Sequence, residues 1–256
     1  MQKTVAVIDI GNTSTTLGLY RDGRIIKMDR VPTGGELALG GLARRLVRLM
    51  GKHAPEGVAV ASVVPAATGA WRRAARRLWP KADWLEVHHR LNLGVGIDYP
   101  RPETIGADRL CNACAAVDRY GAPVIVVDFG TAVTFDIVSP AGKYIGGIIA
   151  PGLPLMFSYL AEKTALLPRI EWGRGVHDVG KSTKEAMRLG AIWGYRGLVR
   201  EIEAELKKRL GWKSTTYCAT GGYASRIMRG TGLAMKIDKD LTLYGIGRIY
   251  ELNRTR

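Results

Sequence analysis

The sequence predicts a duplicated α/β fold in two lobes, each opening on a strand meander and continuing in helix–strand alternation. Three observations predict it. The chain says nearly the same thing twice, about 120 residues apart: TVAVIDIGNTSTTLGLY at 4–20 and PVIVVDFGTAVTFDIV at 123–138. Each is a β-branched apolar run ending in Asp-x-Gly-[Asn/Thr] and followed at once by a second, Thr-rich run, the pattern of strand, tight turn and returning strand. After each hairpin, strand-length apolar runs alternate with segments of helical period. No linker or low-complexity stretch divides the halves, so the expected lobes are 1–120 and 121–256, with the ligand held between them.

Residues 4–10, 15–21 and 24–30 read as strands and 36–50 as a helix. GVAVASVV at 57–64 is a buried strand, and Pro65 opens a helix running to about Trp79, because proline suits the first helical position. WLEV at 84–87 is a short strand; the stretch 91–109 is irregular and leads into a helix ending near Tyr120. In the second half, strands fall at 124–128, 132–138 and 143–148, the last passing into the turn Ala150-Pro151-Gly152. Helices at 153–162, 183–210 and 223–229 follow, with a strand at 215–220 and a final helix over 241–254.

A chain of 256 residues buries roughly 70–75% of its unfolded surface, so it needs no disulfide or metal staple. Its three cysteines, Cys111, Cys114 and Cys218, lack zinc spacing and read as buried small residues in a reducing compartment. No uncharged apolar run approaches the roughly 20 residues that span a bilayer, and a strand begins within a few residues of Met1. The expectation is a cytoplasmic protein with no signal peptide and no membrane association. Lys and Arg number 38 against 23 Asp and Glu, a formal charge of +15. The arginines cluster at 44, 45 and 48 and at 72, 73, 76 and 77. With no base-reading motif beside them, a solvated face is favoured over nucleic acid.

The twin hairpins carry the chemistry. Asp9 and Asp128 stand at strand ends, where carboxylates hold a cation and its water. Gly11 and Gly130 permit turn conformations and close approach of a ligand. Thr13, Ser14, Thr131 and the loop N–H groups are donors for phosphate oxygens. Ile105-Gly106-Ala107-Asp108-Arg109 places an acid and a base at a helix start. A phosphotransferase needs one carboxylate to accept the acceptor hydroxyl's proton, separate from those handling cations, and Asp108 is the remaining candidate; Arg109 suits an anionic substrate. Residues 175–182 match a Walker A motif letter for letter, but no buried strand feeds it. Ser182-x-x-Glu185 reads instead as a capping box for the following helix. GGIIAPG at 146–152 and ATGG at 219–222 are glycine turns of undecided role, and Gly190, Gly194 and Gly197 form a small-residue strip for close helix packing, internal or against a second subunit.

Asp9-Ile10-Gly11-Asn12-Thr13, Gly106-Ala107-Asp108-Arg109, Asp128-Phe129-Gly130-Thr131-Ala132, Gly146-Gly147 with Pro151-Gly152, Ser182-Thr183 and Thr220-Gly221-Gly222 occur in this order. Together they resemble the type III pantothenate kinases of the acetate kinase/sugar kinase/Hsp70/actin superfamily. The resemblance implies a duplicated ribonuclease-H-like (actin-like ATPase) fold with the active site in the cleft, a homodimer with the substrate site near the subunit interface, and phosphorylation of pantothenate by ATP with Mg²⁺ and K⁺ or NH₄⁺. It implies phosphate binding by Asp9, Ile10, Gly11, Asn12, Thr13, Ser14, Thr15 and Thr16, with Thr131 serving the nucleotide from the second loop. It further implies Asp108 as catalytic base, pantothenate contacts from Tyr99, Gly106, Ala107, Asp108 and Arg109, Thr183 reaching substrate from the partner subunit, and Asp128 on the monovalent cation. The alternatives are a transcription accessory factor on the same scaffold and a kinase of the same superfamily with another acceptor.

Overall fold

A computed structural model describes residues 4–34, 39–171, 173 and 178–254. Five strands make the first sheet: β1 (Thr4–Ile10), β2 (Ser14–Arg21), β3 (Arg24–Pro32), β4 (Gly57–Ser62) and β5 (Asp83–Glu86), in the order β3-β2-β1-β4-β5. The first three form an antiparallel meander, and β4 and β5 extend it in parallel on the other side of β1. Asp22 and Gly23, at φ 49° and 70°, make the two-residue turn between β2 and β3, where Asp-Gly matches the right-handed strand twist.

Alternation along β1 sorts its side chains. Ala6, Ile8 and Ile10 enter a core with Leu42 and Leu46 of α1 (Leu39–Met50) and Trp71 and Ala74 of α2 (Pro65–Leu78). Truncating the fully buried Leu46 to alanine would cost about 2–5 kcal/mol. Val5, Val7 and Asp9 take the opposite face. There α7 (Leu241–Asn253) packs on β1 and against α3 (Ala107–Tyr120). The two helices meet backbone to backbone: a Cβ on Gly245 would overlap the Cys111 carbonyl. That glycine lets α3 lie close, and the first turn of α3 carries Asp108.

The second sheet contains β6 (Gly96–Ile97), β7 (Val124–Phe129), β8 (Ala132–Val138), β9 (Lys143–Pro151), β10 (Thr216–Thr220) and β11 (Lys236–Ile237), in the order β11-β10-β7-β8-β9-β6. With β6 set aside, β9-β8-β7-β10-β11 repeats the order of the first sheet, so the duplication read from the two hairpins extends to whole sheets. The remaining helices are α4 (Leu153–Lys163), α5 (Thr183–Leu210) and α6 (Ala224–Met228). Ser182 caps α5 by accepting the Glu185 N–H at 3.3 Å, while Glu185 accepts the Lys181 N–H at 2.7 Å. Gly211, left-handed at φ 59°, ends it, with Lys207, Lys208 and Arg209 in the last turn, where cations suit the helix dipole.

Several expectations are adjusted. Strand β4 stops at Ser62 because Val64 is already the cap of α2. The irregular stretch holds β6 and a 3₁₀ turn, Pro102–Thr104, and α3 begins at Ala107. Residues 36–38 of the expected first helix and 175–177 of the Walker-like match lie outside the described residues. Contacts divide the chain into a first unit of Met1–Val124, Asp136–Gly146 and Asp240–Arg256, and a second of Ile125–Phe135 and Gly147–Lys239. The C-terminal helix α7 joins the first of these units by packing on β1, β2 and α3. Among the described residues the glycine strip of α5 meets no close internal packing: none of them lies within 4 Å of where a Cβ would stand on Gly190, Gly194 or Gly197.

Candidate functional site

In the first unit, the Gly11 N–H donates to the Ser14 carbonyl at 3.1 Å and closes the turn after Asp9. Thr33, just beyond β3, braces it: its N–H reaches the Thr13 carbonyl at 3.1 Å and its hydroxyl the Gly11 carbonyl at 2.7 Å. The Arg30 guanidinium donates to Ser14 Oγ at 2.7 and 2.9 Å. Asn12 and Thr13 are exposed, and Asp9, Gly11, Ser14 and Thr16 are half-buried. Ile10 is buried, its carbonyl taken by the Val63 N–H, and the buried Thr15 shares its hydroxyl with Thr33 at 3.0 Å. Gly11 does not use the left-handed conformation expected of a turn glycine. Its role is space, since a Cβ would lie 3.2 Å from the Ser14 carbonyl oxygen.

At the start of α3 the Asp108 side chain folds back over the helix N-terminus and accepts the Arg109 N–H at 2.9 Å. Gly106 leaves room for this arrangement: a Cβ there would stand 2.5 Å from Asp108 Oδ1 and displace the carboxylate. Asp108 keeps partial solvent access, yet the protein around its carboxyl group desolvates it and pushes its pKa up, more than the Arg109 N–H and charge pull it down. That is the direction a general base requires. The thiol of fully buried Cys111 is pushed up first by burial, then by Cys114, Asp9 and Asp108.

Arg109 extends to a buried acid. Its Nε donates to Asp136 Oδ1 at 2.6 Å, the Tyr144 hydroxyl reaches the same oxygen at 3.4 Å, and the guanidinium lies 5.8 Å from the Tyr144 ring centre. Burial alone would lower the Arg109 pKa; Asp136 more than offsets it, so the guanidinium stays charged. Its Nη2 is buried and has no hydrogen-bond partner among the described residues. Tyr99, 38% exposed, sets its ring edge-on to Tyr144 at 6.3 Å, beside Gly146 at φ 130°. Asp136, Tyr144 and Thr33 were not singled out from sequence. The one available signal was an acid, Asp136, inside the apolar run of β8.

The second unit holds the other hairpin. The Gly130 N–H donates to the Ala132 carbonyl, and the Gly152 N–H to the Thr131 carbonyl, each at 3.0 Å. Asp128 is half-buried. A Cβ on Gly221, at φ 90°, would overlap Asp128 Oδ1 and stand 2.6 Å from the Phe129 carbonyl; one on Gly152 would overlap the Thr131 carbonyl and stand 2.7 Å from that of Gly130. The two undecided glycine turns are therefore steric requirements of this loop. Gly130 itself is not left-handed. Thr183 is exposed in the first turn of α5.

Tyr99 and Gly106 to Arg109 thus gather with Asp9 in the first unit, whereas Asp128, Thr131 and Thr183 belong to the second. Among the described residues no three His, Cys, Asp or Glu side chains stand together as a metal centre, and no helix is long and apolar enough to cross a membrane. All three cysteines are free and buried. Arg72, Arg73, Arg76 and Arg77 are exposed on α2.

Solved structures define the class. The fold matches component A of (R)-2-hydroxyglutaryl-CoA dehydratase from Acidaminococcus fermentans with a TM-score of 0.55 at 15% identity, over 97% of each chain. It matches a ROK hexokinase from Thermus thermophilus with a TM-score of 0.50 at 14% identity, over 96% of this chain and 98% of that one. At such identities the likeness is one of fold alone, a duplicated α/β architecture. Sequence goes further. The family model for type III pantothenate kinase matches residues 5–205. The type III pantothenate kinase of Streptomyces griseus is 39% identical over 97% of this chain and 98% of its own length; that of Akkermansia muciniphila is 54% identical over 60% of this chain and 63% of its own. The chain belongs to the type III pantothenate kinase family, and is a kinase that uses ATP.

Proposed function

We propose that the chain transfers the γ-phosphoryl group of ATP to the primary hydroxyl of pantothenate, forming 4′-phosphopantothenate and opening coenzyme A synthesis. The observation that carries this reading is the Asp108–Arg109 pair: a desolvated carboxylate of raised pKa beside a charged guanidinium with an unmatched N–H. Asp108 accepts the hydroxyl proton as the oxygen attacks phosphorus, and Arg109 pairs with the carboxylate of pantothenate. Tyr99, Gly106 and Ala107 complete the acceptor site. Phosphate binding falls to the loop N–H groups with Asn12, Thr13, Thr16 and Thr131, while Ile10 and Thr15, both buried, frame the turn.

The donor set fits Mg²⁺ and a monovalent ion of the kind expected. Single carboxylates, with no clustered trio among the described residues, suit a Mg²⁺ that keeps water and phosphate oxygens as its other ligands. Asp9 would help hold it, and Asp128 would hold K⁺ or NH₄⁺; bound there, the cations offset the phosphate charge. The chain's own share is positioning and fixed dipoles, the usual substance of phosphoryl transfer. A homodimer through α4 and α5, with Thr183 meeting the partner's substrate, is supported by Tyr159 and Trp193, 60% and 53% exposed, and by the open glycine strip. Three buried free thiols accord with a cytoplasmic enzyme.

A coupled ADP-release assay tests the proposal. Release should depend on pantothenate and rise with K⁺ or NH₄⁺ but not Na⁺. ATP turnover indifferent to pantothenate would defeat the assignment.

A further inference from the structure

Asp136 is fully buried in β8 and holds Arg109 by a single edge. The bond runs from Nε at 2.6 Å, and the Tyr144 hydroxyl reaches the same carboxylate oxygen at 3.4 Å. An arginine present only to neutralise a buried acid would turn two N–H groups of its fork onto both oxygens, the arrangement that makes arginine–carboxylate pairs strong. Here Nη2 is left buried and unmatched instead. A donor left unmade in a desolvated place costs more than an ordinary hydrogen bond returns, so it persists where a ligand completes it. The Arg109 side chain keeps 15% of its surface open, so the guanidinium borders solvent although Nη2 itself is covered. The backbone of the same residue holds the base, because the Arg109 N–H donates to Asp108.

We infer that Asp136 is a positioning residue for substrate recognition: it holds the Arg109 guanidinium by Nε, so that the Nη groups of the fork are left for the substrate carboxylate, with Tyr144 orienting Asp136 in turn. This rests on pantothenate as the acceptor. The second donor that bidentate pairing would give to Asp136 is reserved for the substrate. The cost is an unmatched donor in the free chain, and the return is selectivity for an anionic acceptor over a neutral one.

The test is Asp136→Asn, which keeps the shape and one acceptor but removes the charge that fixes Arg109. Steady-state kinetics should show the KM for pantothenate raised by about tenfold or more, with kcat and the KM for ATP within about twofold of the parent. In an Arg109→Met background the same substitution should leave the pantothenate KM unchanged, since the residue through which it acts is gone. Tyr144→Phe should give a smaller rise of the same kind. The inference is overturned if Asp136→Asn lowers kcat and raises both KM values together, or if it raises the pantothenate KM equally with and without Arg109. Failure of the underlying assignment is distinct: the unmodified chain would then release no ADP in response to pantothenate.

Discussion

The two Asp-x-Gly hairpins share a phrase of sequence and differ in what holds them. The turn after Asp9 is braced by side chains, with the Thr33 hydroxyl reaching the Gly11 carbonyl and Arg30 gripping Ser14. The turn after Asp128 is walled by backbone, with Gly152 against Thr131 and Gly221 against Asp128 and Phe129. The first leaves Asn12 and Thr13 exposed on a hydroxyl-rich rim. The second sets one half-buried carboxylate among main-chain groups. On the proposed reading, one motif would serve two purposes: a polar rim for phosphate oxygens, and a carboxylate enclosed by fixed backbone for a cation. Duplication supplied the geometry, and the braces then diverged.

The largest effect should lie outside both hairpins and sets the scale for them. Asp108→Asn is expected to lower kcat by about 10²–10⁴, the usual worth of a positioned base. Because burial raises the Asp108 pKa above its ordinary 3.8, kcat/KM should climb with pH through a value above that, and the acidic limb should vanish in the variant. For stability the sign is opposite. The folded chain favours the neutral acid, a preference present below 3.8 and lost as pH rises through the raised value. Asp108→Asn should therefore melt no lower than the parent at neutral pH, measured calorimetrically.

Alanine at the glycines comes next and separates the hairpins directly. Gly221→Ala combines a clash with a left-handed backbone and should cost about 2–4 kcal/mol in denaturant unfolding. Gly11→Ala meets one atom at 3.2 Å and should cost under about 1 kcal/mol. Equal losses would mean that the two turns are held alike after all. The ions give a finer comparison: Asp128→Asn should abolish stimulation by K⁺ or NH₄⁺ and spare the Mg²⁺ response, while Asp9→Asn should raise the KM for Mg·ATP and keep the monovalent effect. Smallest is Thr33→Val, which removes hydroxyl bonds to Gly11 and Thr15 and should cost about 1 kcal/mol.

Much of the fold was legible because its signals are local. The span of α5 is set by Ser182 with Glu185 at one end and Gly211 at the other, both readable in sequence. β1 and β8 follow from β-branched runs closed by turn residues, and Asp108 at a helix start follows from a Pro-interrupted loop meeting an apolar period. Strands β6 and β11 were not legible, since two residues carry no periodicity and exist only by pairing with a neighbour. The first unit's claim on Asp136–Gly146 and Asp240–Arg256 was equally hidden, because contact between distant segments leaves no mark in local pattern.

By itself the sequence determined the twin hairpins, the order of elements, and the candidacy of Asp9, Asp108 and Asp128, since turn chemistry, capping and alternation act over a few residues. Only the tertiary structure decided which of those groups are chemically altered and what holds them. The desolvation that raises Asp108, the bond from Arg109 to Asp136 across 27 positions, and the glycines pressed on Thr131 and Asp128 all depend on close packing between segments far apart in the chain. Burial and steric exclusion are properties of that packing, and residue order alone does not express them.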